Sequence, residues 1–173
     1  MKFTLNKIKE RHPCESGWKT LLKSLGKSKA DDEELELTYV LKSNGIEDAI
    51  WCLRCFDYLD YCLFLADVAE SVLHIYERKN KSTAPRDAIT AIREYKLGNI
   101  KKSDLKKAAA AAYAADADAY AAAAAAYAAY AYDAAAAYAA AAAADAYAAY
   151  AAAAAGKKKW EGIEKLFVKH FGE

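Results

Sequence analysis

The spacing of apolar positions predicts helices along the whole chain, and no strand-like alternation of apolar and polar residues develops. After Pro13 and Gly17, the residues Trp18, Leu21, Leu22 and Leu25 recur at threes and fours until Gly26 closes a short first helix. A second helix is expected to start on Asp31 or Asp32. Either carboxylate suits an N-cap, and Glu33 and Glu34 in the first turn would face the positive end of the helix dipole. Asn44-Gly45 ends it, because both residues tolerate a left-handed backbone. From Ile46 to about Arg78 neither Gly nor Pro interrupts an apolar pattern that includes Ile50, Leu53, Phe64, Val68 and Leu73. This stretch predicts one or two core helices with a break near Asp57. Lys79 to Thr83 reads as a loop, Pro85 fits the first turn of the next helix, and Ala88, Ile89, Ile92 and Tyr95 give that helix an apolar face up to Gly98.

Ser103-Asp104 opens the final region, which from Ala108 to Ala155 is almost entirely alanine, with tyrosines and four aspartates set into it. Alanine has the highest helix propensity, and nothing in the tract breaks a helix. As one straight helix it would span roughly 70 Å at about 1.5 Å per residue, longer than a domain of this size is wide. It is therefore expected either to project as a long helix or to fold into a hairpin that turns near Tyr130 to Asp133. Helices faced with methyl groups approach closely, and the tyrosine rings supply the area that alanine lacks. Tyr113, Tyr120, Tyr127 and Tyr138 share one face and are assigned to packing, whereas Tyr132, Tyr147 and Tyr150 lie opposite and are assigned to binding. Gly156 closes the tract, and Lys157 to Lys159 complement the negative helix end. Trp160, Ile163, Phe167 and Phe171 then form a stripe that docks on the core or serves as a partner-binding face. The expected fold is all-α: a single-domain helical bundle spanning 1–173, with 1–107 as the N-terminal bundle, 108–155 as the Ala/Tyr tract and 156–173 as an amphipathic C-terminal helix.

Charge narrows the functional classes. The 25 basic and 24 acidic side chains leave a formal net charge of +1, so no global field draws the chain to nucleic acid or an anionic membrane. Sequence-specific nucleic-acid binding is not expected. The opening MKFTLNKIKE lacks the continuous apolar run of a secretory signal, and the alanine tract is too weakly apolar for a membrane span. A cytoplasmic setting follows, in which Cys14, Cys52, Cys55 and Cys62 stay reduced, either as buried thiols or as metal ligands. On one helix Cys52, Cys55 and Cys62 would share a face, and Cys14 with His12 could complete a tetrahedral zinc site. Trp51, Leu53 and Phe56 around them favour a core helix with no metal and no cofactor.

Asp67, Glu70, His74 and Glu77 fall at intervals of three, four and three, placing three carboxylates and an imidazole on one helical face. Such a face can bind metal or run acid-base chemistry. Paired with Arg86, Arg93 or Arg78, the same carboxylates would instead form a polar seam that fixes helix orientation. Lys101, Lys102, Lys106 and Lys107, joined by Lys157 to Lys159 if the tract is a hairpin, would make a basic end suited to phosphate or nucleotide binding.

Three stretches carry a family resemblance: AIWCLR at Ala49 to Arg54, LADVAESVLHIYE at Leu65 to Glu77, and APRDAITAIREYKLG at Ala84 to Gly98. With Cys14, Gly17-Trp18 and the alanine-rich tail, the chain resembles an alanine-rich immunity-protein-like family of bacteria and bacteriophages. Members interleave Trp or Arg with the tail alanines, where this chain uses Tyr and Asp. The resemblance implies a non-enzymatic protein that neutralises a toxin, or in a phage a bacterial antiviral-defence effector, by binding it. Tyr132, Tyr147, Tyr150, Asp67, Glu70, His74, Glu77 and Arg86 are the expected binding residues. The alternatives are a sponge for a nucleotide signal and a metal-dependent enzyme at the Asp67, Glu70, His74, Glu77 face.

Overall fold

A computed structural model of the chain describes residues 1–78, 80–114 and 157–172. Its elements run β1 (Lys2–Thr4), α1 (Leu5–Glu10), α2 (Glu15–Ser24), β2 (Glu34–Glu36), α3 (Leu37–Asn44), α4 (Ile46–Cys52), a single 3-10 turn at Leu53–Cys55, α5 (Tyr58–Glu77), α6 (Ala84–Lys96), α7 (Lys102–Ala114) and α8 (Lys157–Phe171). The described residues form the expected all-α bundle, with a short helix, α1, ahead of the one expected to come first and with one further addition.

That addition is at the N-terminus, where β1 and β2 pair antiparallel with Phe3 opposite Leu35. Both of these side chains are buried, and Lys2 reaches across the outer face to Glu34 at 3.2 Å. Asp31 and Asp32 therefore do not cap a helix, contrary to the expectation. Lys27 lies 2.7 Å from both Asp31 and Glu33, and the Asp31 carboxylate accepts the Glu33 N–H at 3.3 Å, a local turn that holds the acidic stretch extended. The helix begins later, at Leu37, whose N–H is satisfied by the Met1 carbonyl at 3.0 Å. It ends at Gly45, where φ is 93° and α4 starts directly. A side chain would be strained there, and this left-handed residue lets two short helices meet at a corner.

The break expected near Asp57 is present: the 3-10 turn ends in the extended residue Phe56, and Asp57 occupies the N-cap of α5. This twenty-residue helix is the spine of the bundle, with Phe64, Ala66, Ala69 and Leu73 fully buried along it. α6 packs on α5, starting with Pro85 in its first turn and burying Ala88, Ile89 and Ile92. α7 packs on α6, and its Leu105, Ala109 and Ala112 are wholly buried. Its continuation, the turn near Tyr130 to Asp133 and the assignment of the two tyrosine faces lie outside the described residues.

α8 closes the bundle against α5 and α3. Ile163, Phe167 and Phe171 are buried, and Phe167 and Phe171 meet the Phe64 ring at 5.5 and 5.3 Å between centroids. Each fully buried side chain of this kind contributes about 1.5–3 kcal/mol, so Ile163, Phe167 and Phe171 dock on the core as the first of the two expectations had it, while the Trp160 side chain lies outside the described residues. Among the described residues no helix is long and apolar enough to cross a membrane.

Candidate functional site

The periodicity of α5 places Asp67, Glu70, His74 and Glu77 on the face that looks towards α6 and α8. The three carboxylates are each engaged by a cation from a neighbouring helix. Arg93 of α6 forks between two of them, with Nη2 2.8 Å from Asp67 Oδ1 and 2.7 Å from Glu70 Oε2. Two turns of α5 further on, Arg86 donates from Nε and Nη2 to the two oxygens of Glu77, both at 2.8 Å, a bidentate pair that is half exposed. The short loop before α6 returns Arg86 to the end of α5, as expected for an antiparallel pair.

Asp67 also receives α8. Lys169 Nζ lies 3.1 Å and His170 Nε2 2.9 Å from its Oδ2, so this carboxylate ties three helices together. Burial alone would push its pKa up, but the hydrogen bonds from His170, Arg93 and Lys169 outweigh it and hold the carboxyl at about 2. The Arg93 hydrogen bond likewise lowers Glu70, and the Glu70 hydrogen bond raises Arg93 in turn. Neither Asp67 nor Glu70 is poised to take up a proton near neutral pH.

His74 is solvent-exposed and takes no part in this network among the described residues. Tyr132, Tyr147 and Tyr150 lie outside the described residues. His170 and Lys169 are the functional neighbours that the spacing argument missed. The signal for them was the interval between Phe167 and Phe171: with both rings inward, the residue at the third position, His170, must flank the same stripe.

The cysteines are not brought together as on one helix. Cys52 closes α4, Cys55 sits in the 3-10 turn and Cys62 is in α5, all three buried, while Cys14 is exposed. Cys55 Sγ donates to the Lys7 carbonyl at 3.7 Å, and burial pushes its thiol up to about 11; Cys62 is raised for the same reason. Among the described residues no group of three or more His, Cys, Asp or Glu is arranged to hold a metal ion.

Cys14 serves instead as the N-cap of α2, accepting the Gly17 N–H at 3.4 Å. Asn44 then bridges α2 and α4, donating to the Gly17 carbonyl at 2.8 Å and to Asp48 Oδ2 at 2.7 Å. A Cβ on Gly17 would stand 2.7 Å from that same Asp48 oxygen, so any other residue there would push the Asp48 carboxylate out of its hydrogen bond with Asn44. Beside this contact, Pro13, Trp18, Leu21, Val40 and Trp51 line a small recess of about 30 Å³. Arg54, buried in the turn before α5, stacks on Trp51 at 4.1 Å.

No protein-family model, curated protein or solved structure matches this chain.

Proposed function

We propose that the chain is a non-enzymatic binding protein that neutralises a toxin or a bacterial antiviral-defence effector. One observation supports this most directly: Asp67, Glu70 and Glu77, the three carboxylates of this face of α5, are each committed to a guanidinium, ammonium or imidazole on another helix. A carboxylate spent in this way neither abstracts a proton nor ligates metal readily. The result is a fixed pattern of paired charges, partly open to solvent along Glu70, Glu77, Arg86 and Lys169, and such a pattern discriminates between protein partners by complementarity. The resemblance to immunity-like proteins points the same way.

The test is capture from host lysate by tagged chain, set beside thermal-shift measurements with nucleotides and divalent metals. A specific captured protein, lost on the charge reversal Glu77→Lys while helicity is retained, supports the reading. Stabilisation by a nucleotide without a captured protein favours a sponge acting through the exposed lysines of α7, and stabilisation by Mn²⁺ that is lost in Glu70→Gln favours the metal-dependent enzyme.

A further inference from the structure

We infer that Cys14 and Cys52 form a peroxide-sensitive dithiol pair: Cys14 takes the oxidation at the surface, and Cys52 closes it to a disulfide across the recess between α2 and α4. The two thiols are distant in sequence but line the same recess of about 30 Å³. A space of that size holds about two waters, so the groups that line it face one another over a short distance. The Gly17 contact shows how they meet. Cys14 Sγ stands 3.2 Å and Asp48 Oδ2 2.7 Å from the place a Gly17 Cβ would take, so sulfur and carboxylate converge on one spot from α2 and α4. Cys52 follows Asp48 by one turn on the same face of α4.

The two sulfurs differ in the way such a pair requires. Cys14 is exposed and Cys52 is 3 % exposed, so a peroxide meets Cys14 first and Cys52 is approached through the recess. Cys14 is also the more easily moved. It stands ahead of α2 as its N-cap, near only the Gly17 N–H at 3.4 Å and Ser16 Oγ at 3.5 Å among its polar contacts. Two residues earlier, His12 has φ of 55°, a left-handed conformation uncommon for a residue with a side chain, so the 12–14 segment is not locked by backbone preference. Cys55 and Cys62 stand apart from the pair, because burial raises both thiols and neither lines the recess.

The chemistry balances on one peroxide. The Cys14 thiolate attacks a peroxide oxygen, the O–O bond breaks, hydroxide leaves and takes up a proton, and Cys14 becomes a sulfenic acid. Cys52 then attacks Cys14 Sγ, the S–O bond breaks, the hydroxyl leaves as water with the Cys52 proton, and the S–S bond forms. Two thiols are oxidised and the peroxide is reduced to two waters. Closure also withdraws Cys14 from the Gly17 N–H and so uncaps α2. The pair is independent of the binding reading, which concerns the charges of α5, α6 and α8.

The test treats the full chain with a small excess of hydrogen peroxide, blocks the remaining thiols with N-ethylmaleimide in denaturant, and reads the intact mass and the peptide map. Two of the four cysteines should escape blocking, joined as Cys14 to Cys52, and dithiothreitol should restore all four. With dimedone present, Cys52→Ala should accumulate the Cys14 sulfenic adduct about tenfold over the native chain, because the resolving thiol is gone. Cys14→Ser should keep its remaining thiols at the same dose. The disulfide map of the native chain needs no variant and decides the matter even where Cys52→Ala loses its helical circular dichroism signal. Retention of all four thiols, a disulfide joining Cys14 of two chains, or a Cys14 adduct as abundant in the native chain as in a folded Cys52→Ala variant overturns the proposal.

Discussion

His170 near the end of the chain lies 2.9 Å from Asp67 in the middle of the central helix, and the same carboxylate accepts Arg93 on its other oxygen. One acidic side chain therefore joins α5, α6 and α8. The consequence is geometric as well as energetic. Asp67 is mostly shielded, its carboxylate is saturated, and removing it would leave Lys169 and His170 without their partner beside the Arg93 guanidinium.

This arrangement makes stability depend on pH in a definite direction. The Asp67 carboxyl titrates at about 2 in the folded chain against about 3.8 for an ordinary aspartate, so the folded state holds the ionised form more tightly. Its contribution is complete above about 3.8 and is lost as pH falls through about 2. Melting temperatures of the native chain and Asp67→Asn should therefore differ by a constant amount above pH 4 and converge towards pH 2. A difference that grows on acidification would refute the assignment.

The two arginines of α6 should separate clearly. Arg86 and Glu77 are half exposed, so Arg86→Ala is expected to cost under about 1 kcal/mol despite the bidentate geometry. Arg93 is one-third exposed and binds two carboxylates, so Arg93→Ala should cost about 1.5 kcal/mol, the low end for hydrogen bonds to charged groups. Urea denaturation of both variants measures the contrast. Equal losses would mean that bidentate geometry and not burial governs this seam.

Where apolar periodicity was sustained, the elements followed it. The helices around Leu21, Phe64, Ile89 and Phe167, the break before Tyr58 and the pairing of Glu77 with Arg86 are all legible in spacing and punctuation. The ribbon was not, because a strand of three residues shows at most one inward position, Phe3 or Leu35, and its pairing spans the first thirty-odd residues. The Asp31 to Glu34 run has the composition of a helix start. It is diverted by Lys27, whose reach to Asp31 and Glu33 depends on where α2 ends. His170 was hidden for a related reason: local spacing places a residue on a face, and only the docking of α8 sets that face beside Asp67.

The aromatic cluster carries the apolar share of that docking. Phe64 is 1 % exposed and touches both Phe167 and Phe171, so Phe64→Ala should lower stability by about 3–5 kcal/mol. Phe64→Leu, which fills much of the volume, should recover more than half of the loss. Denaturation midpoints for the two variants decide it, and a loss below about 1 kcal/mol for Phe64→Ala would show that the surrounding helices collapse into the space.

The thiols offer a test of the fold around the α4 to α5 corner. A thiolate is the reactive species, and burial raises Cys55 to about 11 and Cys62 in the same direction, while Cys52 is 3 % exposed. Cys14 alone is exposed, at the first turn of α2. A disulfide reagent such as DTNB at pH 8 should therefore titrate one cysteine of the native chain quickly and all four only in denaturant; Cys14→Ser should abolish the fast phase. Because Cys52, Cys55 and Cys62 sit in three successive elements and two of their thiols are held protonated, excess EDTA should leave the helical circular dichroism signal unchanged. Release of zinc on denaturation, or a second fast thiol, would show instead that the corner is opened around a metal, and that the burial of Cys55 against Lys7 is not how the chain holds it.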